Sequence, residues 1–108
     1  MVALSIGAIV EIDPKDFRIL HLIPAKGDRP HGLDWDNGAL WVVFATDRQI
    51  HKLDAKTGEV LEVLNVAKND PDPHGLCLHE GKLYYCDAGL TMTSPGTAPG
   101  YICSIDLA

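Results

Sequence analysis

The stretch "PHGLDWDNGALWVVFATDRQIHKLDAKTGEVLEVLNV" (residues 30–66) carries the reading of this chain, because its opening four residues return as "PHGL" at 73–76. Laid over one another at an offset of 43, His31 meets His74, Gly32 meets Gly75 and Leu33 meets Leu76. Gly38 then meets Gly81, Leu40 meets Leu83, Trp41 meets Tyr84 and Ala45 meets Ala88. A second match runs through "IVEID" (9–13), "IHKLD" (50–54) and "ICSID" (102–106). Asp13 and Asp54 are 41 residues apart, Asp54 and Asp106 are 52, and the extra length falls in "GLTMTSPGTAPGY" (89–101). That segment is rich in Gly, Pro, Ser and Thr and reads as an inserted loop. Self-similarity at about 40–45 residues points to a solenoid, an array or a propeller.

Local pattern chooses among these. Leu33 and Trp35 alternate with Asp34 and Asp36, and "DNG" turns the chain. "ALWVVFA" is a short run of β-branched and aromatic residues, "QIHKLD" alternates, "AKTG" turns and "EVLEVLNV" runs on. No long segment keeps a helical period, and the Gly-rich punctuation leaves no room for paired amphipathic helices. The chain is therefore expected to be all-β, a β-propeller segment of four-stranded antiparallel blades. Strands a to d, from channel outward, fall at 31–36, 39–45, 49–54 and 59–66, so residues 31–66 form one complete blade. Residues 74–106 give a, b and c of the next (74–79, 82–88, 101–106), and residues 6–23 give c and d of the one before (6–13, 17–23). That makes nine strands, or about two and a quarter blades, in one partial propeller spanning 1–108.

Composition limits the partners. The 108 residues carry a net charge of −6 and no basic block, which argues against nucleic acid and anionic membrane surfaces and favours a cationic ligand or a metal. The longest early apolar run, Ile6 to Val10, is too short to span a bilayer and follows no basic segment. The three cysteines, Cys77, Cys86 and Cys103, are odd in number, lack C-x-x-C spacing and sit in apolar strand patterns. They read as buried thiols of a reducing, cytoplasmic setting.

The pattern "hGL…dG.LWV…I.klD..TGev" resembles the blades of NHL/YVTN-type propellers, the broad group of virginiamycin B lyase-like and gluconolactonase-like proteins and the lyase domain of peptide amidation. The resemblance covers nearly the whole chain. It implies that strand a lines a central channel and that the d–a and b–c loops share the functional face. His31 and His74 would then stand near the channel mouth, with the 89–101 loop projecting on that face and Asp47 and Asp87 pointing towards it. Channel histidines of the amidation lyase hold zinc, and virginiamycin B lyase-like enzymes use a channel histidine with a divalent metal. The resemblance thus makes His31, His74 and Asp87 candidate ligands for a divalent metal (zinc, magnesium or calcium), with the two histidines as candidate catalytic acid/base groups and Asp47 as a further carboxylate. A lyase- or hydrolase-type enzyme is one reading. The other is a ligand-binding or interaction scaffold, in which each histidine bonds a loop carbonyl and each glycine allows a tight bend.

Remaining motifs carry less. "NDPDP" (69–73) offers carboxylates for calcium but lacks EF-hand spacing, and Asp before Pro forms turns. Asp13, Asp54 and Asp106 read as residues of the turn after strand c. Trp35, Trp41 and Tyr84 are expected to pack between blades, and His21, His51 and His79 to be exposed. No G-x-S-x-G elbow, P-loop or G-x-G-x-x-G is present. An open arc of blades exposes apolar faces and strand edges. Either the chain belongs to a longer propeller, or a homo-oligomer closes the ring, two or three copies giving about four to seven blades. A small-molecule ligand suits either form.

Overall fold

Ten β-strands make up the regular structure of the described residues (2–4, 7–87 and 101–107) in the computed structural model. They are β1 (Val2–Leu4), β2 (Ala8–Ile12), β3 (Ile19–Pro24), β4 (Pro30–Asp36), β5 (Ala39–Phe44), β6 (Gln49–Asp54), β7 (Val60–Asn65), β8 (Leu76–His79), β9 (Lys82–Asp87) and β10 (Tyr101–Asp106). There is no helix among the described residues, so none is long and apolar enough to cross a membrane. The strands form three antiparallel sheets: sheet 1 in the order β1-β2-β3, sheet 2 in the order β4-β5-β6-β7, and sheet 3 in the order β8-β9-β10. None closes on itself among the described residues. The all-β expectation therefore stands. The strand count exceeds the nine read from sequence, because Val2–Leu4 adds a third strand to sheet 1. The expected insertion lies outside the described residues except for Tyr101, which opens β10.

Turn chemistry sets the hairpins. Asn37-Gly38 (φ 45° and 87°) joins β4 to β5, and Glu80-Gly81 (φ 48° and 76°) joins β8 to β9. Both are two-residue turns with positive φ at each central position, whose twist matches that of the strands. Sheets 1 and 2 also share a second turn. Asp13 and Asp54 each accept a backbone N–H two residues on, from Lys15 and Lys56, both at 2.8 Å. Asp54 accepts a further one from Thr57 at 3.1 Å, and these backbone donors hold its carboxyl below the ordinary range. Phe17 N–H then donates to the Asp13 carbonyl at 2.7 Å, as Gly58 N–H does to Asp54 at 2.8 Å. Even the irregularities repeat: the β2–β3 register shifts between Glu11 and Ile12, and the β6–β7 register shifts between Lys52 and Leu53, 41 residues later.

Packing follows strand alternation. Every residue of β5 is buried, because sheet 2 lies between the other two. Leu40, Val42 and Phe44 face Ile9 and Ile23 of sheet 1, whereas Trp41 and Val43, with Ile50, face Leu83 and Tyr85 of sheet 3. Burial on both faces is what the unbroken "ALWVVF" run encodes. Trp41 and Phe44 alone contribute about 2–3 kcal/mol each by leaving water. Burial and the Cys103 thiol beside it push Tyr85 up to about 12.

Several side chains depart from expectation. Trp41 is buried and its Nε1 donates to Asp36 at 3.0 Å, but Trp35 is 55% exposed. Trp35 pairs with Leu40 and so faces sheet 1, which has three strands against four and leaves that part of β4 uncovered. His51 is buried, not exposed: β6 is an interior strand, and the imidazole lies 4.6 Å from the Phe44 ring. Its Nε2 meets Gln49 Oε1 at 2.9 Å. Cys77 and Cys86 are exposed and Cys103 is half-buried, so the thiols are free but not all enclosed. Cys77 and Cys86 pair with Tyr84 and Ile102 on the side of sheet 3 that turns away from sheet 2.

Candidate functional site

The two PHGL segments touch. The β4–β5 register shifts between Pro30 and Leu33, which takes His31 and Gly32 out of their own ladder. The freed Gly32 N–H donates instead to the His74 carbonyl at 3.0 Å, linking sheet 2 to the strand entering sheet 3. Two residues on, Asp34 Oδ2 accepts the Leu78 N–H at 2.8 Å, so β4 and β8 are tied at two points. The approach is too close for a side chain at residue 32. A Cβ there would lie 2.5 Å from the Leu76 nitrogen and 2.7 Å from the His74 oxygen, both backbone atoms. Gly32 is thus fixed by proximity, not by its φ.

This junction sets the imidazoles of His31 and His74 with ring centroids 5.0 Å apart and planes tilted by 58°. Arg29, at φ 53°, returns its guanidinium to 3.5 Å from His31 Nε2. Partial burial, His74 and Arg29, in that order, lower the His31 pKa, so its neutral form is favoured. The charges acting on this imidazole are cationic, although the chain as a whole is acidic.

The carboxylates are used differently from the two histidines. Asp47 Oδ2 accepts the Asp28 N–H at 2.7 Å, and Asp87 Oδ2 accepts the Asp72 N–H at 3.2 Å. Each therefore braces the loop that leads into one of the histidines. The acidic "NDPDP" loop meets a cation from its own chain: Arg48 pairs with Asp72 and donates to the carbonyls of Ala67 and Asp70. No group of three or more His, Cys, Asp or Glu side chains placed to hold a metal ion occurs among the described residues. The sequence reading singled out His31 and His74, and the structure brings them together. It missed Arg29 and Arg48, whose signal was their place immediately before a PHG segment and immediately after strand β5.

Chemically, the cluster joins two titratable imidazoles to one permanently charged guanidinium on an accessible edge. Such a set accepts negative charge, with the imidazoles taking up protons as an anion arrives. The chain matches no protein-family model, and no curated protein matches it.

Proposed function

We propose that the chain is a segment of a β-propeller with NHL/YVTN-like blades, serving as a ligand-binding scaffold. Its binding end is the His31–His74–Arg29 cluster, and its ligand is a small molecule bearing a carboxylate or phosphate. Three sheets of up-and-down strands, with one turn and one bulge recurring at the repeat interval, support the blade reading. The observation that carries the ligand class is the guanidinium of Arg29 against His31, with no group of carboxylates to balance it.

A metal-dependent lyase or hydrolase is the second reading. Its support is the convergence of the two imidazoles, 5.0 Å between centroids, which suits two ligands of one divalent ion. The adjacent guanidinium repels a cation, which places this reading second.

The test is a titration of the full chain with inorganic phosphate, acetate and Zn²⁺ separately, followed through the imidazole NMR signals. The scaffold reading expects phosphate or acetate to shift His31 and His74 and to raise the His31 pKa, and Arg29→Met to weaken the effect. Stoichiometric Zn²⁺ binding lost in His31→Ala/His74→Ala, without an anion response, moves the conclusion to the metal reading. Silence towards all three removes both.

A further inference from the structure

The repeat supplies a rule for which faces are meant to be covered. Ile9, Ile50 and Ile102 hold the same place in "IVEID", "IHKLD" and "ICSID". Ile9 is fully buried against sheet 2, and Ile50 is fully buried against sheet 3. Ile102 is 84% exposed. Around it the outward side of sheet 3 continues apolar: Cys86 pairs with Ile102, and Cys77 pairs with Tyr84. A shallow hollow of about 270 Å³ lies there, lined in part by Gly75, Tyr84 and Ile102. By the same offsets Tyr84 stands for Trp41, a residue that sheet 3 covers completely in sheet 2.

The complementary surface is at the other end of the chain. Ile23 faces sheet 2, so Leu22 faces away, and Ile19 joins it across the bulge. Both are more than half exposed. At the repeat interval of 41 they stand for Val63 and Val60, on the side that sheet 2 turns to sheet 1. One end of the chain thus presents the side that receives a neighbouring sheet, and the other presents the side that is received.

We propose that a second copy of this chain seats the outward side of its sheet 1, around Ile19 and Leu22, on the outward side of sheet 3, around Tyr84 and Ile102. The contact is head to tail. It repeats the packing of sheet 1 on sheet 2 and of sheet 2 on sheet 3, and the two patches are not copies of one another. Such heterologous contacts close into a ring or run on as a filament. The inference rests on the repeat, not on what the histidine cluster binds.

The experiment is native mass spectrometry and light scattering of the full chain, alone and as Ile102→Glu and Leu22→Glu. Wild type is expected to associate, either as one closed species or as a ladder growing with concentration. Each variant alone is expected to be monomeric. Mixed, they are expected to form a 1:1 dimer through the one intact pair of patches. Both substitutions are at exposed positions, and circular dichroism checks that the sheets persist. Alkylation of exposed Cys77 and Cys86 gives a readout on unmodified wild type: both are expected to be protected at high concentration and to react on dilution. A monomeric wild type overturns the proposal. So does a Leu22→Glu variant that associates as wild type does, since the patch around Ile102 would then be pairing with itself. Equal reactivity of the two thiols at all concentrations also overturns it.

Discussion

The imidazoles of His31 and His74 stand 5.0 Å apart because the Gly32 N–H, released by a bulge, bonds the His74 carbonyl at 3.0 Å. One four-residue motif, written twice, thereby produces its own contact. The proline and leucine frame the bend, the glycine allows the approach, and the histidine is what the approach brings together.

Replacing Gly32 by Ala is expected to destabilise the chain by about 1–3 kcal/mol, the usual cost of forcing a side chain into a filled space. Its Cβ would press on backbone nitrogen and oxygen, which cannot turn aside. Gly75→Ala meets only the Cys86 sulfur, at 2.8 Å, which can rotate away. Urea unfolding is expected to rank Gly32→Ala well below Gly75→Ala. Equal losses would mean that the two strands are not held at this distance in solution.

Acid is expected to weaken the fold through two histidines. Burial, with His74 and Arg29, lowers the His31 pKa, and burial lowers that of His51 against an opposing pull from Asp47. Each folded value lies below the unfolded value near 6.5, so the unfolded chain binds more protons as pH falls. Stability from these groups is full above about pH 6.5 and declines as pH drops from there towards the folded values. His51→Val installs the residue that sheet 1 carries at the same place, Val10, and also removes a buried Nδ1 that has no hydrogen-bond partner. We expect it to change neutral-pH stability by about 1 kcal/mol or less and to flatten the acid limb of a plot of urea midpoint against pH. His31→Gln should flatten it as well. An unchanged limb in both variants would remove the histidines as its cause.

Phe17 occupies the place that Gly58 fills in the second copy of the turn, at φ 58° against 77°, and its ring is 73% exposed. A non-glycine residue there costs roughly 1–2 kcal/mol, partly offset by the roughly 0.5–1 kcal/mol of chain entropy that glycine loses on folding. Phe17→Gly is therefore expected to stabilise the protein by about 0.5–1 kcal/mol. Gly58→Ala should destabilise it, since its Cβ would also lie 3.1 Å from Pro24 Cδ. Paired thermal melts read both, and a loss of stability in Phe17→Gly would show that the aromatic ring contributes more than the strain it imposes.

What the sequence disclosed and what it withheld divide along a physical line. Strand positions 31–36, 39–45 and 49–54 were legible because alternation and turn residues are local, and the His31–His74 pairing was legible because the motif repeats. Burial was less so. Trp35 and His51 were misplaced because exposure depends on which sheet lies opposite, and a residue's own neighbours in sequence do not encode that. The cysteines went the same way: an apolar strand pattern marks a face that can be covered, and Cys77 and Cys86 lie on a face that no other sheet of this chain covers. The third strand of sheet 1 was missed because Val2–Leu4 is only three residues long and has no alternation to read.

Arg48 is the side chain on which the position of His74 most depends. It follows β5, adopts φ 53°, and reaches 19 to 24 residues ahead to Ala67, Asp70 and Asp72. That one guanidinium holds the loop between β7 and β8, and Asp87 braces the same loop through the Asp72 N–H. Arg48→Met keeps the length of the stem but removes every donor. Amide exchange across residues 67–74 is then expected to quicken by roughly tenfold or more, the loop opening locally while β5 stays protected. Asp72→Asn, which removes only the ion pair, should quicken it less. If Arg48→Met instead exposes β5 to exchange, the guanidinium supports the whole fold and not the loop, and the placement of His74 must be credited to the Gly32 contact alone.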